Sequence, residues 1–238
     1  MKTILALAVV ALWAAAPAVH SQTPPDSSNT NSTAGLETNT VPLKYLMTTN
    51  NIATNTVGVV LVKITPDFWV GRFEVTQKSY QKVIGANPSA FVGGNHPVDS
   101  VSWNDAMAFC SKLTEKERDQ LPGGFAYSLP TEAQWEQLVA NASLNDAVMA
   151  YSGTSHGSTA PVGSLGPNSL GLYDMRGNVM EWCLNSQDPT RYHVLRGGAW
   201  DTWVEPSTRV QFRNYAGPGD KKNDYGFRVV LEPGEGAQ

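Results

Sequence analysis

The chain is poor in cysteine, in charge and in long apolar runs, and each shortage excludes something. Its two cysteines, Cys110 and Cys183, allow at most one disulfide. Charged residues make up 16% of the chain, and the 17 basic ones are outnumbered by 21 acidic ones. A nucleic-acid binder neutralises phosphates with a basic stripe, so no nucleic-acid partner is expected. The histidines beyond the first 21 residues are His96, His156 and His193, and no pair has zinc-ligand or iron-triad spacing. The apolar run from Ile4 to Ala16 falls short of the roughly 20 residues that a spanning helix needs.

That run, preceded by Lys2 and followed by Val19-His20-Ser21 before Gln22, reads as an export signal over residues 1–21. Without Lys2 the balance becomes 16 basic to 21 acidic residues, a formal charge of -5. No cysteine follows the run to carry a lipid, so an exported chain, periplasmic or extracellular and without a transmembrane anchor, is expected. Residues 22–40, QTPPDSSNTNSTAGLETNT, nearly lack large apolar side chains and cannot offset their ordering entropy. They read as a flexible linker. Residues 41–233 suit one domain, and 234–238 a disordered tail.

Within the domain, 21 glycines and 15 prolines favour loops and turns, and 7 tryptophans can pin them. VGVVLVKI (57–64) and FWVGRFEV (68–75) have strand length and β-branched content. Thr76 offers a helix N-cap closed by Gly85, and Ser102 with Asp105 opens a second helix ending near Arg118. Trp103, Met107, Cys110 and Leu113 fall on one face of it. Thr131 with Gln134 forms a capping box for a third helix to about Ala140. Two main helices beside short antiparallel strands and structured loops predict an α+β domain.

Five segments in order, FWVGRFEVTQKSY, NHPVDSVSWNDAMAFC, LPTEAQWEQL, NSLGLYDMRGNVMEWC and a closing RGGAW…RN…GFR, resemble the formylglycine-generating enzyme, or sulfatase-modifying factor, family. The resemblance implies a C-type-lectin-like α+β fold. It departs from the family pattern in lacking a Pro-Gly-Gly opening turn and in a short stretch between Ala140 and Asn168. It also implies an oxidase that holds copper(I) between two thiolates, but counting from the RGG the two cysteine positions fall at Thr202 and Ser207. Hydroxyl oxygen is a poor copper(I) ligand, so copper is not expected.

The same resemblance places a structural calcium ion on Asp174, Gly177, Val179 and Glu181, two carboxylates and two carbonyls being suitable hard ligands. The alternative is Glu181 buried against an arginine such as Arg196 or Arg228, with no metal. Cys110 and Cys183 sit in apolar contexts and either form one disulfide or remain buried thiols. In the family's oxidases the neighbourhood of Trp200, Trp203, Arg209, Phe212, Arg213 and Tyr215 floors a groove for an extended peptide; here these side chains either bind a ligand or staple loops. The expectation is a calcium-stabilised pseudoenzyme that binds a protein or glycan partner in the cell envelope. The alternatives are a formylglycine-generating oxidase using other ligands, another enzyme on the same groove, or a structural envelope protein.

Overall fold

A computed structural model describes residues 46–48, 51–185, 188 and 190–234. The expected leader, the linker and residues 235–238 lie outside the described residues. The described residues begin with four antiparallel strands: β1 (Leu46–Thr48), β2 (Ile52–Thr54), β3 (Val60–Thr65) and β4 (Phe68–Gly71). Helices α1 (Gln77–Ile84) and α2 (Trp103–Glu117) follow, then β5 (Phe125–Ser128) and α3 (Glu132–Val139). The last part supplies β6 (Met180–Trp182), β7 (His193–Arg196), β8 (Asn214–Ala216), β9 (Tyr225–Gly226) and β10 (Val230–Pro233). Two sheets result, ordered β1-β2-β3-β4-β10-β5 and β8-β7-β6-β9. Every pairing is antiparallel except β6 with β9.

Both expected strands are shorter than their apolar runs. Asn55 accepts hydrogen bonds from the amides of Val57 and Val59 at 3.2 and 2.8 Å, and this side-chain turn delays β3 until Val60. At the other end Gly71 donates to Val229 O at 2.8 Å and Arg72 to Val60 O at 2.8 Å, after which the chain leaves the ladder.

The helix ends follow their caps. Thr76 accepts from the Ser79 amide, and Gly85 closes α1 with φ of 91°. Reciprocal capping boxes, Ser102 with Asp105 and Thr131 with Gln134, start α2 and α3. The expected apolar stripe of α2 is rotated, however. Ala106, Phe109, Cys110 and Leu113 are buried, whereas Trp103 and Met107 are only half-buried. Phe109 packs between Tyr80 and Phe227, with centroids at 5.5 and 5.3 Å, while Trp103 turns away to stack on His193 at 3.8 Å.

Period-two alternation gives the larger sheet two apolar faces. Leu61, Trp69, Tyr127 and Leu231 join a core with Phe109 and Leu113 of α2, whereas Val62, Val70 and Val230 join Trp135 and Leu138 of α3. Cys110 belongs to the first cluster and Cys183 to the second, so both remain free, buried thiols rather than the disulfide considered from sequence.

Candidate functional site

The residues expected to hold calcium come together around an arginine. Glu181, on β6, is 1% exposed, and both its carboxylate oxygens accept from Arg228 Nε at 2.9 Å. Arg228 Nη2 reaches Oε1 at 2.6 Å, and the Trp135 indole donates to Oε2 at 2.9 Å. The rest of the guanidinium binds two carbonyls, Gly71 O at 2.9 Å and Tyr173 O at 2.8 Å. Burial opposes its charge, but Glu181, Glu74 and Asp174 together hold its pKa above the ordinary arginine value.

Asp174 is buried in a left-handed conformation (φ 55°), and its Oδ2 accepts from the Gly163 amide at 2.7 Å. Burial pushes its pKa up to about 6, against the pull of that hydrogen bond and of Arg228. Gly177, at φ 81°, packs its backbone on the 147–150 segment so tightly that a Cβ would lie 2.5 Å from Val148 O. A third carboxyl, Glu74, completes the group: Asn178 Nδ2 donates to it at 2.7 Å and the Val179 amide at 3.0 Å. Burial, then Asp174 and Glu181, raise its pKa well above the usual carboxylate range. Sequence reasoning missed Glu74; its one visible signal is an acid flanked by Phe73 and Val75. The carboxylates of the expected calcium site are thus met by protein donors. Both Glu181 oxygens are already taken by Arg228 and Trp135, the arrangement considered as the alternative to calcium.

Thr202 and Ser207 both come close to Gly198. A Cβ on that glycine, which has φ of 76°, would come within 3.3 Å of Thr202 Oγ1 and 3.7 Å of Ser207 O. Thr202 is buried; its hydroxyl accepts from the Ala199 amide at 2.9 Å, and its carbonyl accepts from the Tyr151 amide at 2.8 Å. It thus serves as a turn residue. The two cysteines take no part here, and burial raises both thiol pKa values, the opposite of what a thiolate ligand needs.

The six candidate groove residues split into two places. Trp200 packs edge-on against Phe91 at 5.1 Å and donates to Asn223 O, so it staples loops. Trp203 stands 73% exposed, Phe212 is half-buried, and Arg209 forms an exposed pair with Glu205. Arg213 and Tyr215 instead line a cavity of about 800 Å³ with Tyr192, Val194, Asn185 and Glu132. The β7–β8 register explains it: Val194 pairs with Tyr215, and side chains two residues apart share a face. Beside the cavity Arg196 is buried under Glu132 and Glu136, to which Arg213 also bonds. Two arginines and two glutamates thus fix one polar wall.

A family model described as "Sulfatase-modifying factor enzyme 1-like domain" matches residues 42–233. Among curated proteins, the chain is 29% identical over 228 residues to "Chaperone protein LppX" of Paenibacillus barcinonensis, covering 69% of this chain and 80% of that one. It is 30% identical over 179 residues to a "Formylglycine-generating enzyme" of Streptomyces coelicolor, covering 57% of this chain and 52% of the enzyme. Among solved structures, "Treponema denticola variable protein 1" superposes with a TM-score of 0.61 at 28% identity, over 70% of this chain and 84% of that one. The fold is the C-type-lectin-like α+β arrangement of these relatives.

Proposed function

The chain belongs to the sulfatase-modifying factor family, and from that premise we propose that it is an exported binding or accessory module without cysteine-oxidase chemistry. One observation carries the reading: the positions where the resemblance calls for two thiols hold Thr202 and Ser207, both close to Gly198, while Cys110 and Cys183 are buried in separate cores. An oxidase needs accessible soft ligands for copper(I), and neither pair offers them. Family membership alone does not decide the activity, since one relative is named a formylglycine-generating enzyme and another a chaperone protein.

The proposed contact surface is the cavity beside β7 and β8. Exposed Tyr192 and Tyr215 supply area at low entropic cost, and Arg213 supplies directed donors. The partner is a protein or glycan of the cell envelope. Export is supported by Lys2 and the apolar run ending at Ala16. Among the described residues no helix is long and apolar enough to cross a membrane.

The test is copper(I) titration joined to oxygen consumption on a peptide carrying the sulfatase Cys-X-Pro-X-Arg motif. No stoichiometric copper and no turnover are expected from this chain. The double variant Thr202→Cys, Ser207→Cys is expected to gain copper(I) binding. Turnover by the unmodified chain would replace this reading with the oxidase.

A further inference from the structure

We infer that Arg228 takes the place of a bound divalent cation in this chain, so that the two sheets close around Glu181 without metal. A calcium ion acts as a cross-link by drawing carboxylate and carbonyl oxygens from separate segments to one point. Arg228 does the same with its own donors. It lies between β9 of the smaller sheet and β10 of the larger. Its guanidinium binds Glu181 of β6, Gly71 at the end of β4 and Tyr173 in the intervening loop, at 2.6 to 2.9 Å. Its side chain is 0% exposed, so neither water nor salt competes for these contacts.

The acids around it also hold protein donors, Glu181 most of all. Glu181 has Arg228 on both oxygens and Trp135 on one, Asp174 holds the Gly163 amide, and Glu74 holds Asn178 and the Val179 amide. For calcium to bind, Glu181 would have to leave Arg228, and a buried guanidinium would lose its counter-ion. That exchange is unfavourable in a dry interior, because an uncompensated buried charge is the most expensive product available. The planar fork also matters: a carboxylate gripped by Nε and Nη2 while Nη1 holds a carbonyl is a geometry that a lysine cannot reproduce.

The experiment uses the full chain, purified without chelator. Elemental analysis is expected to find calcium well below one equivalent, and the melting temperature is expected to be the same in EDTA and in millimolar calcium. Stoichiometric calcium, or a melting temperature that falls on chelation, would overturn the inference. A second arm takes Arg228→Lys, which keeps the charge and loses the fork. Its melting temperature is expected to fall and to stay low when calcium is added; restoration by calcium would show that an ion can do the arginine's work and would equally sink the proposal. If that variant does not fold, the chelation measurement on the unmodified chain still decides.

Discussion

Two arginine–glutamate pairs in this molecule use the same chemistry and do opposite things. Arg228 and Glu181 meet inside, at 0% and 1% side-chain exposure; Arg209 and Glu205 meet on the outer loop, at 63% and 53%. The first pair is bracketed by Trp135, Gly71 and Tyr173, so every partner has paid its ordering cost as part of the fold. The second is a single i,i+4 contact in water. Arg196 lies between the extremes, with a fully buried guanidinium and carboxylates that still touch solvent. Burial, not the number of ion pairs, separates the frame from the surface.

The largest way to break the contrast is Glu181→Ala. It strands Arg228 in the interior, and the loss is expected to be about 3–5 kcal/mol, the range for breaking a buried pair. Urea denaturation would measure it; a loss below 1 kcal/mol, roughly the surface value, would mean that the two pairs do not differ. Gly177→Ala comes next, at about 1–3 kcal/mol for a residue forced into an unfavoured backbone region. At φ 81°, with Val148 O only 2.5 Å from the new Cβ, the side chain meets backbone that cannot give way. The same urea titration reads it, and an unchanged midpoint would show that the 147–150 segment can move.

A third test uses pH. Burial, followed by the nearby Asp201, raises the Asp224 carboxyl from 3.8 to about 6. The folded chain therefore keeps a proton that the unfolded chain has already released. This contribution to stability is complete below 3.8 and is lost as pH rises through about 6. Asp224→Asn removes that step, so the difference in melting temperature between variant and parent is expected to move in the variant's favour as pH rises across this window. A flat difference would place Asp224 in a wetter setting than its 7% exposure implies.

Much of this frame is legible from local chemistry. Thr76, Ser102 and Thr131 each mark a helix start because capping is decided within four residues. The rotation of α2 is not legible, because Phe109 is claimed by Tyr80 and Phe227, which lie far away in the chain. The site divides in the same way. Arg228 was one of two arginines considered for Glu181, but Glu74 joins only because Asn178 and Val179 fold back onto it across more than 100 residues. The groove is divided because Arg213 and Tyr215 belong to the face of a sheet, whereas Trp200 is drawn to Phe91. Neither long-range choice leaves a periodic trace.

The smallest expected effect is the sharpest check on the contrast. Arg209→Ala removes both hydrogen bonds to Glu205, at 3.2 and 3.1 Å, and so deletes the outer pair completely. Both side chains are mostly solvated before the change, so truncation leaves no desolvated charge behind, and salt already screens what attraction there is. The melting temperature is expected to be unchanged at low and at high salt. A clear fall that high salt abolishes would mean that the outer loop is held by its charges after all. In that case the 3₁₀ turn at Glu205–Thr208, which carries Ser207 beside Gly198, would belong to the fixed frame and not to the open surface.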